Sequence, residues 1–137
     1  MYNEIMDYSK VLRFLIIFMI ILLTGLLILV NFLSEIAFEF YNIYPGESHG
    51  FINFITYPSI VYLFTIILGF KYLGTNNLEH INTLIIIFIL FAVMRTYGIL
   101  VDGLNISLFV LMAYPAEFLG APVFYFIKKK IENSINY

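Results

Sequence analysis

The chain has 137 residues, of which 62% are hydrophobic and 12% are charged, and its net charge is −2. Soluble domains are typically about 45–50% apolar and about 25% charged, and a soluble fold of this size would leave much of the apolar surface in water. The composition therefore indicates a membrane protein. The negative charge gives no electrostatic case for binding nucleic acid, and the absence of cysteine excludes disulfides and thiolate metal sites within the chain.

Four segments are long and apolar enough to cross a bilayer, whose core takes about 20 residues of helix. Three polar, turn-rich stretches separate them, at 41–50, 71–80 and 101–105. Short connections favour antiparallel neighbours. We therefore predict an all-α fold, an integral membrane up-down four-helix bundle that forms one domain over residues 1–137. The predicted spans run over about 11–38, 51–70, 81–100 and 105–127.

Basic residues flank the predicted spans on one side of the membrane. Cytoplasmic loops carry an excess of Lys and Arg, and the two opposite loops, 41–50 and 101–105, contain neither. Both termini are therefore predicted to be cytoplasmic. The first span is too long for a signal-peptide core of about 7–15 residues, so we expect it to be retained. The basic residues on the cytoplasmic side are Lys10, Arg13, Lys71, Lys128, Lys129 and Lys130.

The remaining basic residue, Arg95, lies inside the third span, in LFAVMRTYGILVDG (90–103). The helical rise places it roughly 8 Å below the outer end of that span. A charge at that depth costs free energy unless it snorkels, pairs or lines a wet cavity. Gly98 and Asp102 follow at i+3 and i+7 on the same helix face. Asp102 is a natural counter-charge, and Gly98 leaves space beside the guanidinium, although simple snorkelling is an alternative.

The fourth span carries Glu117 near the middle of the bilayer. Tyr114, Gly120 and Ala121 flank it on one face, and small residues allow helices to pack closely in membranes. That face is therefore predicted to point into the bundle. Arg95 is the only basic residue in the outer half, about 10 Å away along the membrane normal by helical rise. We expect a direct or water-bridged link between the two charges.

Polar side chains from the other two spans also gather in the outer half, whereas the inner half is almost purely aliphatic. Asn31 and Glu35 belong to a polar stripe on the first span, and Tyr57 lies near the start of the second. Such residues can be simple interhelical hydrogen-bonding partners. Together they predict a polar pocket that opens outward. Its candidate ligand-binding residues are Arg95, Glu117, Asp102, Glu35, Asn31, Tyr57 and Tyr114.

Other chemistry has little support in the sequence. His49 and His80 lie in opposite loops, so they cannot share a metal ion, and no nucleophile–base pair or phosphate-binding loop is present. We therefore predict no catalytic residue, no metal site and no cofactor, and we favour a non-enzyme. Tyr41 and Tyr72 suit the aromatic belts at membrane interfaces.

The pattern Arg95-x-x-Gly98, then Asp102-Gly103, then Glu117 in the next span resembles a family of small bacterial four-helix membrane proteins with a domain of unknown function, near the DoxX-like group. The resemblance covers roughly the second half of the chain. It implies the four-helix fold and a multi-pass location in the bacterial inner membrane, and it implies no activity.

Two functions remain open. In the leading interpretation the protein binds or moves a small anionic or amphiphilic ligand, such as a lipid or quinone head group, which Arg95 holds in the outer pocket. In the alternative it is a non-enzymatic assembly subunit whose charges fix helix packing, with a membrane protein or a second copy as its partner. A cavity that exposes Arg95 favours the first, and a dry, paired Arg95–Glu117 contact favours the second. A continuous pore is disfavoured by the aliphatic inner half.

Overall fold

The computed structural model describes residues 2–44, 46, 48–102 and 107–135. For residues 2–7, 48, 49, 51, 102 and 135 it describes the backbone alone. The described residues form five helices and no strand, which confirms the predicted all-α class. Four of the helices are long and apolar enough, by length and composition, to cross a membrane. The helices are α1 (Tyr2–Phe32), α2 (Ser34–Tyr41), α3 (Ser48–Thr75), α4 (Glu79–Asp102) and α5 (Leu108–Ile135).

The long helices α1, α3, α4 and α5 pack in a ring, in which each contacts the one before and the one after. Side-chain contacts between α1 and α3 fix their direction. Arg13, near the start of α1, bonds to Asn76 just after α3, and Asn31, near the end of α1, bonds to Ser59 in the first half of α3. The two helices are therefore antiparallel, as the short connections predicted.

The same argument holds for α4 and α5. Arg95 contacts Glu117, and the earlier Phe88 stacks on the later Phe124, with ring centroids 5.5 Å apart. The start of α1 and the end of α5 therefore lie at one end of the bundle, which we name the terminal end. The opposite end, which carries α2, is named the α2 end. The prediction assigns the terminal end to the cytoplasm.

The structure divides the predicted first span, 11–38, into two helices. The backbone of Leu33 leaves the helical region (φ −126°, ψ 47°), although hydrogen bonds to Leu29 and from Ala37 still bracket it. α1 ends at Phe32 and α2 begins at Ser34. Glu35 lies in the first turn of α2, where the exposed N–H groups of a helix start favour a carboxylate. The structure therefore differs from the predicted span in having a break at Leu33.

Buried apolar side chains form two clusters, one in each half of the bundle. The cluster at the terminal end draws on α1, α3, α4 and α5, and it contains the fully buried Leu12, Ile16, Ile81 and Leu84. The cluster at the α2 end draws on α1, α2, α3 and α5. Its buried members are Val30, Ala37, Tyr41, Phe54 and Tyr62.

Burial corrects the expectation that Tyr41 and Tyr72 belong to interfacial belts. Tyr72 is 1% exposed and Tyr41 is 9% exposed, because each ring packs inside the bundle rather than on its surface. Periodicity, rather than residue type, carries the signal for this burial. Phe54, Tyr62, Ile66 and Tyr72 are all buried on α3 at helical spacing.

Candidate ion-pair site between α4 and α5

One arginine and one glutamate join the facing sides of α4 and α5. Arg95 Nε donates to Glu117 Oε2 and Arg95 Nη2 donates to Glu117 Oε1, each at 2.6 Å. Two parallel charge-assisted bonds of this kind are shorter and stronger than neutral hydrogen bonds. The two side chains are only 19% and 11% exposed. The predicted link is therefore confirmed as a direct ion pair, in which each largely buried charge compensates the other.

The start of α5 explains part of why these residues meet. The helical rise predicted an offset of about 10 Å between them. However, α5 begins at Leu108 instead of the predicted 105, which brings Glu117 about 4.5 Å closer to the α2 end. The long arginine side chain spans the rest. Pro115 and Pro122 both lie inside a continuous α5, so neither proline ends the helix around Glu117.

An aromatic ring supports the guanidinium from a second direction. The Phe109 ring centroid lies 4.8 Å from Arg95 Cζ, within the range of a cation–π contact. Phe109 is in the first turn of α5, two turns before Glu117. The same helix therefore supplies both the counter-charge and the aromatic face for Arg95.

A weaker polar contact lies beside the pair on the same two helices. Thr96 Oγ1 donates to the Ala92 carbonyl at 2.6 Å and lies 3.2 Å from the Tyr114 hydroxyl. The candidate residue Tyr114 is thus next to the ion pair, as its helical position predicted. In the described part of the chain, every buried side-chain nitrogen or oxygen has a hydrogen-bond partner.

Tyr41 of α2 and Tyr62 of α3 form a second buried polar contact at the α2 end. Their hydroxyl oxygens are 2.7 Å apart, and either can donate. Burial and the neighbouring Tyr62 raise the pKa of the Tyr41 phenol, while the charge of Arg95 opposes that shift. The Tyr41 ring also lies 4.2 Å, between centroids, from Phe109. Phe109 therefore connects α2 with the ion pair.

Three other candidate residues lie apart from the pair. Asn31 donates to the Leu27 carbonyl at 2.9 Å and to Ser59 Oγ at 2.8 Å, so it links α1 to α3. Glu35 and Tyr57 are exposed. Among the described residues no hydrogen bond or ion pair joins any of the three to Arg95 or Glu117. The side chain of the remaining candidate, Asp102, lies outside the described residues.

A shallow apolar groove of about 310 Å³ runs along the outside of α4 and α5. Neither member of the ion pair lines it, so this groove is not the predicted polar pocket. Across the described residues, no group of three or more His, Asp or Glu side chains could hold a metal ion. The groove is lined by Ala92, Val93, Thr96, Tyr97, Leu100 and Phe118.

Sequence reasoning missed three contributors to this region. Tyr62 was not distinguished from other residues of the second span, Phe109 was not linked to Arg95, and Thr96 was passed over. A search for aromatic residues within one turn of each helix start, on the side that faces the charge, would have found Phe109. The pairing of Tyr62 with Tyr41 depends on the break at Leu33, which has neither Pro nor Gly to mark it.

Comparison with known proteins does not add a relative. No family model matches the chain, and neither a curated protein nor a solved structure is significantly similar to it. The resemblance to the small bacterial four-helix membrane proteins therefore stays a prediction.

Proposed function

We propose that the protein is a multi-pass membrane protein of the bacterial inner membrane, with both termini in the cytoplasm, and that it serves there as a non-enzymatic assembly subunit. Large apolar side chains lie exposed along the long helices, including Phe14 (67%), Phe32 (80%) and Leu100 (78%). Exposed apolar surface of this extent suits lipid or a membrane partner. The basic residues at the terminal end support the cytoplasmic assignment.

The break at Leu33 supports the same placement. The first N–H groups of α2 have no partner within that helix, and in the hydrocarbon core each unsatisfied group would cost several kcal/mol. At the membrane surface, water and lipid head groups can bond to them. Glu35 and Glu39 lie in α2 directly after the break, and charged residues of this kind are expected at a membrane interface rather than in the hydrocarbon core.

The observation that carries the assembly role is the two-bond contact between Arg95 and Glu117. Its donors and acceptors are directed at each other and not into a cavity. Buried ion pairs of this type serve best to fix one packing arrangement over others. The pair therefore acts as a clamp that fixes how α4 lies against α5, which in turn defines the outer surface of α4.

That outer surface is the one that we assign to a partner. In the 18-residue apolar stretch of each long helix, 6% of the residues are buried in α4, against 22% to 28% in the other three helices. A helix that contributes so little to its own bundle has most of its apolar face available for another protein. The partner is a transmembrane helix of a second chain, of the same or of another protein.

Site-specific photo-crosslinking in living cells tests this role. A photoreactive amino acid is placed at Met94 of α4, which is 65% exposed, and at the control position Phe14 of α1, which is 67% exposed. The proposal predicts a protein adduct of defined mass from the α4 position, and lipid adducts alone from α1. Lipid adducts alone from both positions would refute the assembly role.

Binding of an amphiphile is the second candidate, and one observation favours it. Arg95 uses Nε and Nη2 for Glu117, so Nη1 takes no part in the pair, and the side chain keeps 19% exposure. A carboxylate or phosphate head group could bind to Nη1 without displacing Glu117. Co-purification of such a molecule, lost on substitution of Arg95, would favour this function over assembly.

A further inference from the structure

The two halves of α4 differ sharply in how they are packed. In the half nearer the terminal end, Ile81 and Leu84 are both 0% exposed and belong to the cluster shared by all four long helices. From Ile89 to Val101, all within the described part of the helix, no residue is buried. The apolar cluster at the α2 end likewise takes no described residue from α4.

Polar contacts hold this second half of α4 instead. Arg95 forms an ion pair with Glu117 and a cation–π contact with Phe109, and Thr96 lies within hydrogen-bond distance of Tyr114. Among the described residues, these are the hydrogen bonds, ion pairs and cation–π contacts that this segment makes with other helices. All of them go to α5. No comparable polar or aromatic contact with α3 is made by this described segment, although α3 is the other neighbour of α4 in the ring.

The partner helix is, by contrast, fixed at both ends. Phe124 of α5 is buried in the cluster at the terminal end, and Phe109 packs against the cluster at the α2 end. Any relative motion of α4 and α5 near the ion pair therefore displaces α4. Because Phe88 stacks on Phe124 and lies against Gly120, the first half of α4 provides a fixed point for such a motion.

We propose that the segment Ile89–Val101 is a lateral gate, which tilts away from α3 about the packed first half of α4, and that the Arg95–Glu117 pair is its latch. Opening would give access from the side of the bundle to the guanidinium and to the Tyr41–Tyr62 hydroxyls. An anionic head group of a membrane amphiphile is the chemistry that this set of donors would recognise. The inference rests on the proposed membrane location but not on the proposed assembly role.

Distances between paired spin labels test the gate in lipid nanodiscs. The chain has no cysteine, so two introduced cysteines label uniquely. One pair, Ile52→Cys and Leu100→Cys, spans α3 and α4 at the α2 end, at positions 58% and 78% exposed. The control pair, Phe70→Cys and Ile86→Cys, spans the same helices near the terminal end, at positions 59% and 57% exposed.

Two substitutions open the latch from either side, Glu117→Gln and Arg95→Met. A tilt of about 20° of a segment about 20 Å long moves its tip by about 7 Å. We expect both substitutions to lengthen or broaden the distance at the α2 end by an amount of that order, and to leave the control distance unchanged. Unchanged distances at both pairs would overturn the gate and would leave the assembly role untouched.

A third substitution separates a latch from general loosening. Phe88→Ala removes the stacking contact with Phe124 at the fixed point and keeps the ion pair. The gate predicts that this variant shifts the control distance at least as much as the distance at the α2 end. If Phe88→Ala instead reproduces the distances of Glu117→Gln, the ion pair has no special part and the inference is wrong.

Discussion

A double variant in which Arg95 and Glu117 are both replaced should be more stable than either single variant and close in stability to the wild type. Glu117 lies nine residues after the start of α5 at Leu108, or about 14 Å along the helix, which in the proposed membrane location is close to the middle of a hydrocarbon core about 30 Å thick. Removing one partner of a buried ion pair typically costs about 3–5 kcal/mol, because the other charge is left uncompensated.

The exposure of the two side chains sets the expected size within that range. The two side chains are 19% and 11% exposed, so the pair is not fully enclosed, and we expect Arg95→Met and Glu117→Met each to cost about 3 kcal/mol, at the lower end of that range. The double variant leaves no charge and should lie within about 1 kcal/mol of the wild type, because apolar replacement of a whole buried pair is often neutral or stabilising. Loss of the Phe109 contact is common to both variants that lack Arg95.

Steric trapping in lipid bicelles measures the free energy of unfolding that this prediction concerns. The matched control is the pair Lys128–Glu132, which is also short, at 2.7 Å, but leaves Glu132 42% exposed. Its single substitutions should cost less than about 1 kcal/mol. If the costs of Arg95→Met and Glu117→Met simply add in the double variant, the two side chains are not coupled and the clamp interpretation fails.

Two further predictions concern packing and pH. A Cβ at Gly120 would meet the Phe88 ring at 3.0 Å, whereas a Cβ at Gly98 would meet nothing within 4 Å. Gly120→Val should therefore lower the free energy of unfolding by about 1–3 kcal/mol through overpacking. Gly98→Ala should leave the free energy of unfolding nearly unchanged in the same assay. Burial raises the pKa of the Tyr41 phenol above its value in the unfolded chain, which is about 10. The buried neutral phenol therefore stabilises the fold below pH 10, and this stabilisation is lost as the pH rises further. The melting temperature in detergent should therefore fall more steeply above pH 10 for the wild type than for Tyr41→Phe, and equal slopes would contradict this.

Hydropathy and turn residues were enough to predict the helical class, the number of long helices and the antiparallel order of helices in contact. Each apolar run has about the 20 residues that a helix needs to cross a bilayer core, so the long helices can be identified without tertiary information. The end of the first helix was not predictable in the same way. Leu33 is a good helix former in its own right, and α2 beyond it contacts both α1 and α5, an arrangement that the local sequence does not indicate.

The ion pair was within reach of the sequence because charges in apolar segments must find each other or water. The contacts that surround the pair could not be predicted in this way. Asn31 and Glu35 shared an arc with the predicted pocket on a helical wheel, but a wheel does not fix which neighbour that arc faces. In the folded chain Asn31 bonds to Ser59 across the α1–α3 contact, and Glu35 belongs to the separate helix α2.

Native mass spectrometry of the protein extracted in its own lipids tests the central claim most directly, that Arg95 and Glu117 serve packing and assembly. The wild type is compared with the double variant Arg95→Met/Glu117→Met, which keeps both helices apolar at this level. The assembly account predicts that the wild type carries a partner chain that the double variant, whose α4 is no longer fixed against α5, binds less or not at all. A double variant that keeps the partner chain in full would contradict it and would show that the ion pair has no part in assembly.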